Sequence, residues 1–399
     1  MEKELKIIVF VCILAIIITG CTDKREINET SIVSATAIDY DSESDEFVVS
    51  VSTITPAGSP SNKNGQNEKM IWTATERGKT ILDATRNLRL RSALSLSWIH
   101  CKIYIIGKDA ASYVLHEIAD TMARSREVKY SSYVLLTEGR VQDILTIKPE
   151  MSRDISTEIL GMITATKEHG RSYTLNIKDF LANLSGEYKD SILGRINLRI
   201  LPYPPQPTEQ TRDILEGKST VVMLEGAAVI RDGKLSGWLN KDETRAFLLI
   251  KGKLKEGLIP VIYRDNTVSV IIRNIKTQID PVLSGNKPVF NINISYNGQI
   301  DELGLRENAN QHTEVSIIKA LLEEKTKEDV LGTIKKVQTE YEADIFDFNG
   351  EVYRKHPHIW KSLKDKWRDI YKDAEFKVSV NVEINKTGFI TKPIMRENE

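Results

Sequence analysis

Four prolines stand within positions 202–207, in Leu201-Pro202-Tyr203-Pro204-Pro205-Gln206-Pro207, and no other stretch constrains the folding of this chain so tightly. Proline locks φ and has no N–H to donate, so the segment continues neither a helix nor the interior of a sheet. It is expected to be a semi-rigid linker near the middle of the 399 residues, with a packing problem on either side.

Before the linker, the apolar residues of Ile32–Ile38 and Phe47–Val51 flank the polar Asp41–Asp45 and predict a β-hairpin. Residues 56–69 read as a loop. Met70–Thr75 reads as a strand, and Ile81, Leu82, Thr85 and Leu88 follow a helical spacing. The run His100–Ile106 predicts a strand, Asp109–Ala123 a helix and Tyr130–Leu136 another strand. Strands alternating with helices argue for mixed α/β structure.

After the linker, Val222–Ile230 and Leu235–Leu239 flank Arg231-Asp232-Gly233-Lys234, where Asp-Gly suits the positive φ of a tight hairpin turn. Asp242-Glu243-Thr244 opens a helix toward Leu249, its acids complementing the helix dipole. Val268–Ile272 reads as a strand. Phe290, Ile292, Ile294 and Tyr296 alternate with polar residues, as in a half-buried strand. From Val315 to Tyr341 the pattern is helical, with Gly332 a weak point. Trp360, Leu363, Trp367 and Ile370 share a helical face, and Phe376–Ile384 alternates as a strand with one polar face, unlike buried parallel strands.

The expected fold class is therefore mixed α/β (α+β), multidomain, with mainly antiparallel or mixed sheets and packed helices. The expected divisions are 1–20, a signal peptide; 21–201, an N-terminal α/β domain; 202–219, the linker; 220–280, a middle hairpin-containing domain; and 281–399, a C-terminal α/β domain.

Hydrophobic residues are 41% and charged residues 28% of the chain, an ordinary balance for a folded protein. Nothing in the formal net charge of −1 argues for nucleic acid or for an electrostatic membrane patch, and no nucleic acid partner is expected.

The apolar run Ile7–Ile18 spans 12 residues, against roughly 20 for a membrane span. It closes on Ile18-Thr19-Gly20-Cys21, small residues before a cysteine, the pattern of a bacterial lipoprotein signal. The expectation is cleavage before Cys21, whose thiolate accepts diacylglycerol, with or without a further N-acyl chain. Buried acyl methylenes contribute about 0.8 kcal/mol each, so two chains make a stable anchor. The flank departs from the usual basic pattern, since Glu2 and Glu4 offset Lys3 and Lys6. Of the remaining cysteines, Cys12 would leave with the signal, and Cys101 is expected to be a buried structural thiol.

Three constellations invite a chemical reading. Ser316-Ile317-Ile318-Lys319, Lys386-Thr387-Gly388 and Ser295-Tyr296-Asn297 imitate the elements of penicillin-binding enzymes. Their order is wrong, and Lys319 to Lys386 is too short for the helical domain such enzymes insert. His356-Pro357-His358 is half a metal site at most, and reads better as a helix start with proline in the first turn. Trp360 and Trp367, seven apart, fit core packing better than ligand stacking. The mixed charges of Asp23-Lys24-Arg25-Glu26 weaken a headgroup reading. The residues thus predict a surface-anchored binding or assembly protein, not an enzyme, with no cofactor, no metal and Cys21 as its one chemically defined site.

Four segments carry a resemblance. They are Gly20-Cys21-Thr22-Asp23-Lys24-Arg25-Glu26-Ile27; His100–Gly107 with Lys108-Asp109-Ala110-Ala111; Gly226–Leu239 with Glu243-Thr244-Arg245; and Asp344-Ile345-Phe346-Asp347-Phe348 through His356-Pro357, Trp360 and Trp367. In this order they resemble the Ger(x)C family, the lipoprotein C subunits of spore germinant receptors. Thr22 departs from the family, which commonly has tryptophan there. The resemblance implies a non-enzymatic subunit needed for nutrient-triggered germination, lipid-anchored through Cys21 on the outer face of the spore inner membrane. It implies two integral membrane partners, the A- and B-type subunits, and a three-domain mixed α/β fold. A solute-binding lipoprotein of a transporter, two lobes around a cleft, is the alternative.

Overall fold

A computed structural model describes residues 29–55, 70–186, 190–201, 219–284, 287–302 and 311–386, together with Glu4. Among them the strands form two sheets of mixed direction. The first contains β1 (Thr30–Asp41), β2 (Glu46–Thr55), β3 (Met70–Gly78), β4 (Ser95–Ser97), β5 (Ile103–Gly107), β6 (Tyr133–Thr137), β7 (Leu175–Asn176), β8 (Ser191–Leu201), β9 (Ser219–Arg231) and β10 (Lys234–Leu239). Its order is β10-β9-β8-β6-β5-β1-β2-β3, with β4 on β1 and β7 on β6. The second sheet runs β11 (Glu256–Tyr263), β12 (Asn266–Ser284), β13 (Lys287–Glu302), β14 (Glu375–Lys386). The helices are α1 (Ile81–Arg91), α2 (Lys108–Tyr113), α3 (Leu115–Arg124), α4 (Val141–Thr146), α5 (Ile155–His169), α6 (Ile177–Ser185), α7 (Lys241–Ile250), α8 (Gln311–Thr339), α9 (Phe348–Lys355), α10 (Pro357–Leu363) and α11 (Trp367–Lys372).

Local chemistry sets many of the boundaries. In the β1–β2 turn Asp45 takes a left-handed φ of 53°, and the Asp41 carboxylate accepts from Glu43 N and Ser44 N. Thr80, Asp154 and Asn176 cap α1, α5 and α6 through their side chains. Asn240 and Glu243 form a reciprocal capping box on α7, and α5 ends at Gly170 with φ 65°. The helix expected over Asp109–Ala123 is instead two, α2 and α3, broken at Val114. The strand expected from His100 starts at Ile103, with Cys101 fully buried just ahead of it. Burial pushes the Cys101 thiol up to about 11, in keeping with a packed, unreactive group.

The first sheet is covered on both faces. Val33, Ile38, Tyr104 and Ile106 point into a core with α1, α2, α3 and α6. Ala35, Ala37, Ile103 and Ile105 point the other way, into a core with α4 and α5. The first of these cores continues through α7 into the inner face of the second sheet, where Phe290, Ile292 and Ile294 meet Ile318, Leu322 and Val330 of α8.

The expected mixed α/β class holds, but the sheets do not follow the expected divisions. β9 and β10, placed in a middle unit, pair with β8 in the first sheet, from Ser191↔Ile230 to Leu201↔Ser219. The linker itself lies outside the described residues except for Ser219. The boundary expected at 281 falls inside β12, where Pro281 pairs with Phe290. Proline is tolerated because β11 pairs with β12 only as far as Arg273, which leaves the distal half of β12 an edge. β14, read as unlike a buried parallel strand, does run parallel to β13, from Val289↔Glu375 onward. Helix α8 passes uninterrupted through Gly332.

Candidate functional site

The two sheets are joined by a charged junction. On the first sheet it is built from Asp190, the β9–β10 turn and α7; on the second, from the residues following α8 together with α11. Asp232 and Gly233 at the turn take φ values of 49° and 71°, the left-handed pair a tight hairpin requires. This geometry puts Arg231 and Asp232 against the second sheet's helices. Arg231 Nη1 lies 2.6 Å from Glu342 Oε2, and Lys372 Nζ lies 3.1 Å from Glu342 Oε1. These hydrogen bonds, that to Lys372 first, hold the Glu342 carboxyl below its usual range.

The Asp190 side chain is nearly inaccessible and accepts from three partners. Its Oδ2 takes Asp344 N at 2.8 Å; its Oδ1 takes Asp232 N at 3.3 Å and Arg368 Nη2 at 3.2 Å. Arg368 also pairs with Asp232. Asp344 is buried in turn and accepts from Phe348 N at 3.0 Å, Asn349 N at 2.9 Å and Trp367 Nε1 at 3.2 Å. Burial nevertheless pushes its carboxyl up to about 6 against the backbone N–H bonds that favour the charge.

A second knot ties β10 and α7 to α8. Lys336 Nζ donates to Glu243 Oε1 at 2.9 Å and to Trp238 O at 3.1 Å. Burial lowers its proton affinity, but the hydrogen bonds and charge attraction of Glu243 and Tyr341 together more than offset that and the net shift is upward. Tyr341 donates its hydroxyl to Trp238 O at 2.9 Å. A Cβ at Gly237 would stand 2.2 Å from the Tyr341 ring, so only glycine lets that ring lie flat on the strand. Arg245, 4% exposed, pairs with Asp242 at 2.9 Å and with Asp329 of α8 at 3.5 Å, and donates to Leu258 O at 3.2 Å.

Beside the junction opens a cleft of about 570 Å³, lined by Asn183, Asp190, Lys251, Lys253, Asp344 and Asp347 among others. Lys251 Nζ donates to Phe346 O at 2.9 Å, and burial holds its ammonium below the usual lysine range. Asp347 takes a φ of 63°, and Gly350 leaves the space its carboxylate fills. The arrangement presents fixed charges of both signs and couples the two sheets.

Two of the four segments singled out for resemblance, Gly226–Arg245 and Asp344–Trp367, converge here. Gly237, Trp238, Glu243 and Arg245 face Lys336, Tyr341 and Asp329, while Asp344 and Trp367 form the buried centre. Trp360 and Trp367 pack edge to face at 5.3 Å, as core residues. Pro357 opens α10, and His356 Nε2 contacts Pro281 O at 3.2 Å. Among the described residues no group of three metal ligands is found. Ser316 and Lys319 lie on α8, with Lys319 paired to Glu323. Tyr296 faces α8 through a 2.6 Å bond to Thr326, so its strand neighbours Ser295 and Asn297 lie on the opposite face of the sheet from Ser316. Thr387 and Gly388 lie outside the described residues, as do Cys21 and Asp23-Lys24-Arg25-Glu26. Residue patterns missed Asp190, Lys336 and Arg368, which sit in no local motif. For Asp190 and Arg368 the one signal is the Asp-Gly turn that brings Asp232 to them.

Two family models match this chain in tandem. Residues 23–198 match the spore germination protein N-terminal domain, and residues 225–388 the spore germination B3/GerAC-like C-terminal domain. The chain belongs to the Ger(x)C family of spore germination proteins. It is 23% identical over 390 residues to spore germination protein B3 of Bacillus subtilis (strain 168), covering 96% of this chain and 98% of that one. It is 25% identical over 419 residues to spore germination protein YndF of the same organism, covering 98% of each. The crystal structure of the GerBC protein shares the fold, with a TM-score of 0.56 at 19% identity, over 88% of this chain and 96% of that one. Among the described residues no helix is long and apolar enough to cross a membrane.

Proposed function

We propose that this chain is the non-catalytic C-type subunit of a spore germinant receptor, required for nutrient-triggered germination. Lipid on Cys21 holds it to the outer face of the spore inner membrane beside integral A- and B-type subunits. The observation that carries this reading is the tandem match of both family models across the chain. The junction supports an assembly role, because it fixes two sheets by charge pairs and leaves a polar cleft for contact. The separation of Ser316 from Ser295 and Asn297 by a sheet supports the absence of serine chemistry.

Deletion of the gene tests the reading. Nutrient-triggered germination is expected to fail while germination by agents that bypass receptors persists; normal responses to every nutrient, in a strain lacking redundant receptors, would overturn it. Cys21→Ser is expected to leave the domains folded but unlipidated and released from the membrane fraction. Unchanged processing and full membrane retention in that variant would remove the lipid anchor from the account.

A further inference from the structure

Strands β1, β4, β5 and β6 run parallel, so the loops that enter them meet at one end of the first sheet. Register places these loops at one level. Ala35 pairs with Ile103, and Ile103 with Tyr133; Thr30, Ile99 and Lys129 stand four or five residues ahead of them. β2 and β3 reach the same level through Ile32↔Ile54 and Ile54↔Ile71. β7 runs back beside β6 and delivers the start of α6 to this end, where Lys178 N donates to Tyr130 O at 3.0 Å.

Apolar side chains are exposed here among cations. Ile71, Ile99 and Tyr130 are 44%, 48% and 49% exposed. Lys102, Arg126, Lys129 and Lys178 are exposed around them, and none has a carboxylate partner among the described residues. The acids are fewer. Glu127 is committed to Trp98 N at 3.0 Å and to Arg89 at 3.7 Å, which leaves Glu29 and Asp179. The net charge of −1 is a sum over the whole chain and does not describe one end of one sheet.

Lysine and arginine stems lie along apolar surface while their charges stay in water, and a tyrosine ring with a polar tip suits the boundary between water and hydrocarbon. Apolar side chains among cations match an anionic lipid surface, where each Lys or Arg strengthens binding about fivefold. The length of chain ahead of the sheet points to the same occupant. Thr30 follows Cys21 by nine residues, which reach at most about 32 Å when fully extended. A lipid on Cys21 therefore keeps this end of the sheet within that distance of the bilayer.

We propose that this end of the first sheet docks on an anionic lipid surface. Ile71, Ile99 and Tyr130 lie at the headgroup level, and Lys102, Arg126, Lys129 and Lys178 face the lipid phosphates. The choice of occupant rests on the lipid-anchor reading of Cys21. The contact itself needs no lipid on the chain, so it is tested apart from the anchor.

The test uses residues 21–399 without lipid, which contain both sheets and α1 to α11. It reads flotation with vesicles of phosphatidylglycerol or of phosphatidylcholine. The bound-to-free ratio on phosphatidylglycerol is expected to exceed that on phosphatidylcholine at least about tenfold. It should fall as salt rises from about 0.1 M to about 1 M and shortens the screening length from about 10 Å to about 3 Å. Lys102→Glu combined with Lys129→Glu should lower it at least about tenfold, and Ile99→Ser about threefold, each with an unchanged circular dichroism spectrum. Lys108→Glu, just past the opposite end of β5, should leave it unchanged. No flotation with phosphatidylglycerol, equal flotation with both lipids, binding untouched by the double reversal in a folded chain, or an equal loss in Lys108→Glu would each overturn the proposal. Failure of the anchor is read separately, by the processing of Cys21→Ser, and does not alter these results.

Discussion

The two sheets solve the same burial problem differently. Every residue of β5 in the first sheet is buried, with Tyr104 and Ile106 serving one core and Ile103 and Ile105 the other. In the second sheet β13 alternates: Phe290, Ile292, Ile294 and Tyr296 are buried, and Asn291, Asn293, Ser295 and Asn297 face away. Yet each strand has a parallel partner, β5 beside β6 and β13 beside β14. The difference teaches that coverage, not pairing direction, writes the hydrophobic pattern. A parallel strand usually reads as a continuous apolar run because crossover helices cover both faces. Here the α8-to-α11 crossover lies on one face, so β14 alternates although it is parallel.

The contrast can be broken by mutation. The largest effect is expected from Ile105→Ala, which empties a fully buried site on a two-sided strand and should cost about 2–5 kcal/mol in denaturant unfolding. Asp344→Ala comes next. It strands the N–H groups of Phe348, Asn349 and Trp367 and should cost about 3 kcal/mol, with the second sheet's unfolding uncoupled from the first.

Asp344 also gives the junction a pH dependence. Its folded carboxyl, pushed up to about 6, binds protons more tightly than an unfolded one near 3.8. The contribution to stability is therefore full below about pH 4 and is lost as pH rises through 6. Urea midpoints measured from pH 4 to 7 should show this fall, and Asp344→Asn should flatten it.

Gly237→Ala should cost about 1–3 kcal/mol by forcing the Tyr341 ring off β10. Restoration by a second change, Tyr341→Ala, would locate the strain. The smallest effect is expected from Asn293→Ala on the open face, within about 0.5 kcal/mol. A cost above about 1 kcal/mol there would show that the open face is covered after all and erase the contrast between the sheets.

Much of this was legible in the chain. The Asp-Gly turn, the Glu243 helix start and the alternating Phe290–Tyr296 each report a local rule, and each stands where expected; the two tryptophans are core residues as expected, but a 3-10 turn at Lys364–Lys366 divides their single expected helix into α10 and α11. Helices α4, α5 and α6 were not foreseen, and neither was β8, whose apolar residues feed two cores and so show neither simple period. In the candidate site Asp344 was flagged only through family resemblance, without a physical role, whereas the spacing of Trp367 already marked it as a core residue. Asp190 and Arg368 were not flagged, because nothing nearby in sequence marks them.

By itself, then, the sequence determined what depends on a few consecutive residues: turn chemistry, helix caps, strand alternation, and an apolar run closing on Cys21. Tertiary structure decided what depends on meetings across long separations. It carried one sheet across the linker by pairing β8 with β9, ran β12 through Pro281 because its far half is an edge, and brought Asp190 to Asp344 and Arg368. The physical reason is that backbone conformation responds to neighbours along the chain. Burial and charge pairing respond to neighbours in space, and a carboxylate becomes part of a junction only once folding has removed the water around it.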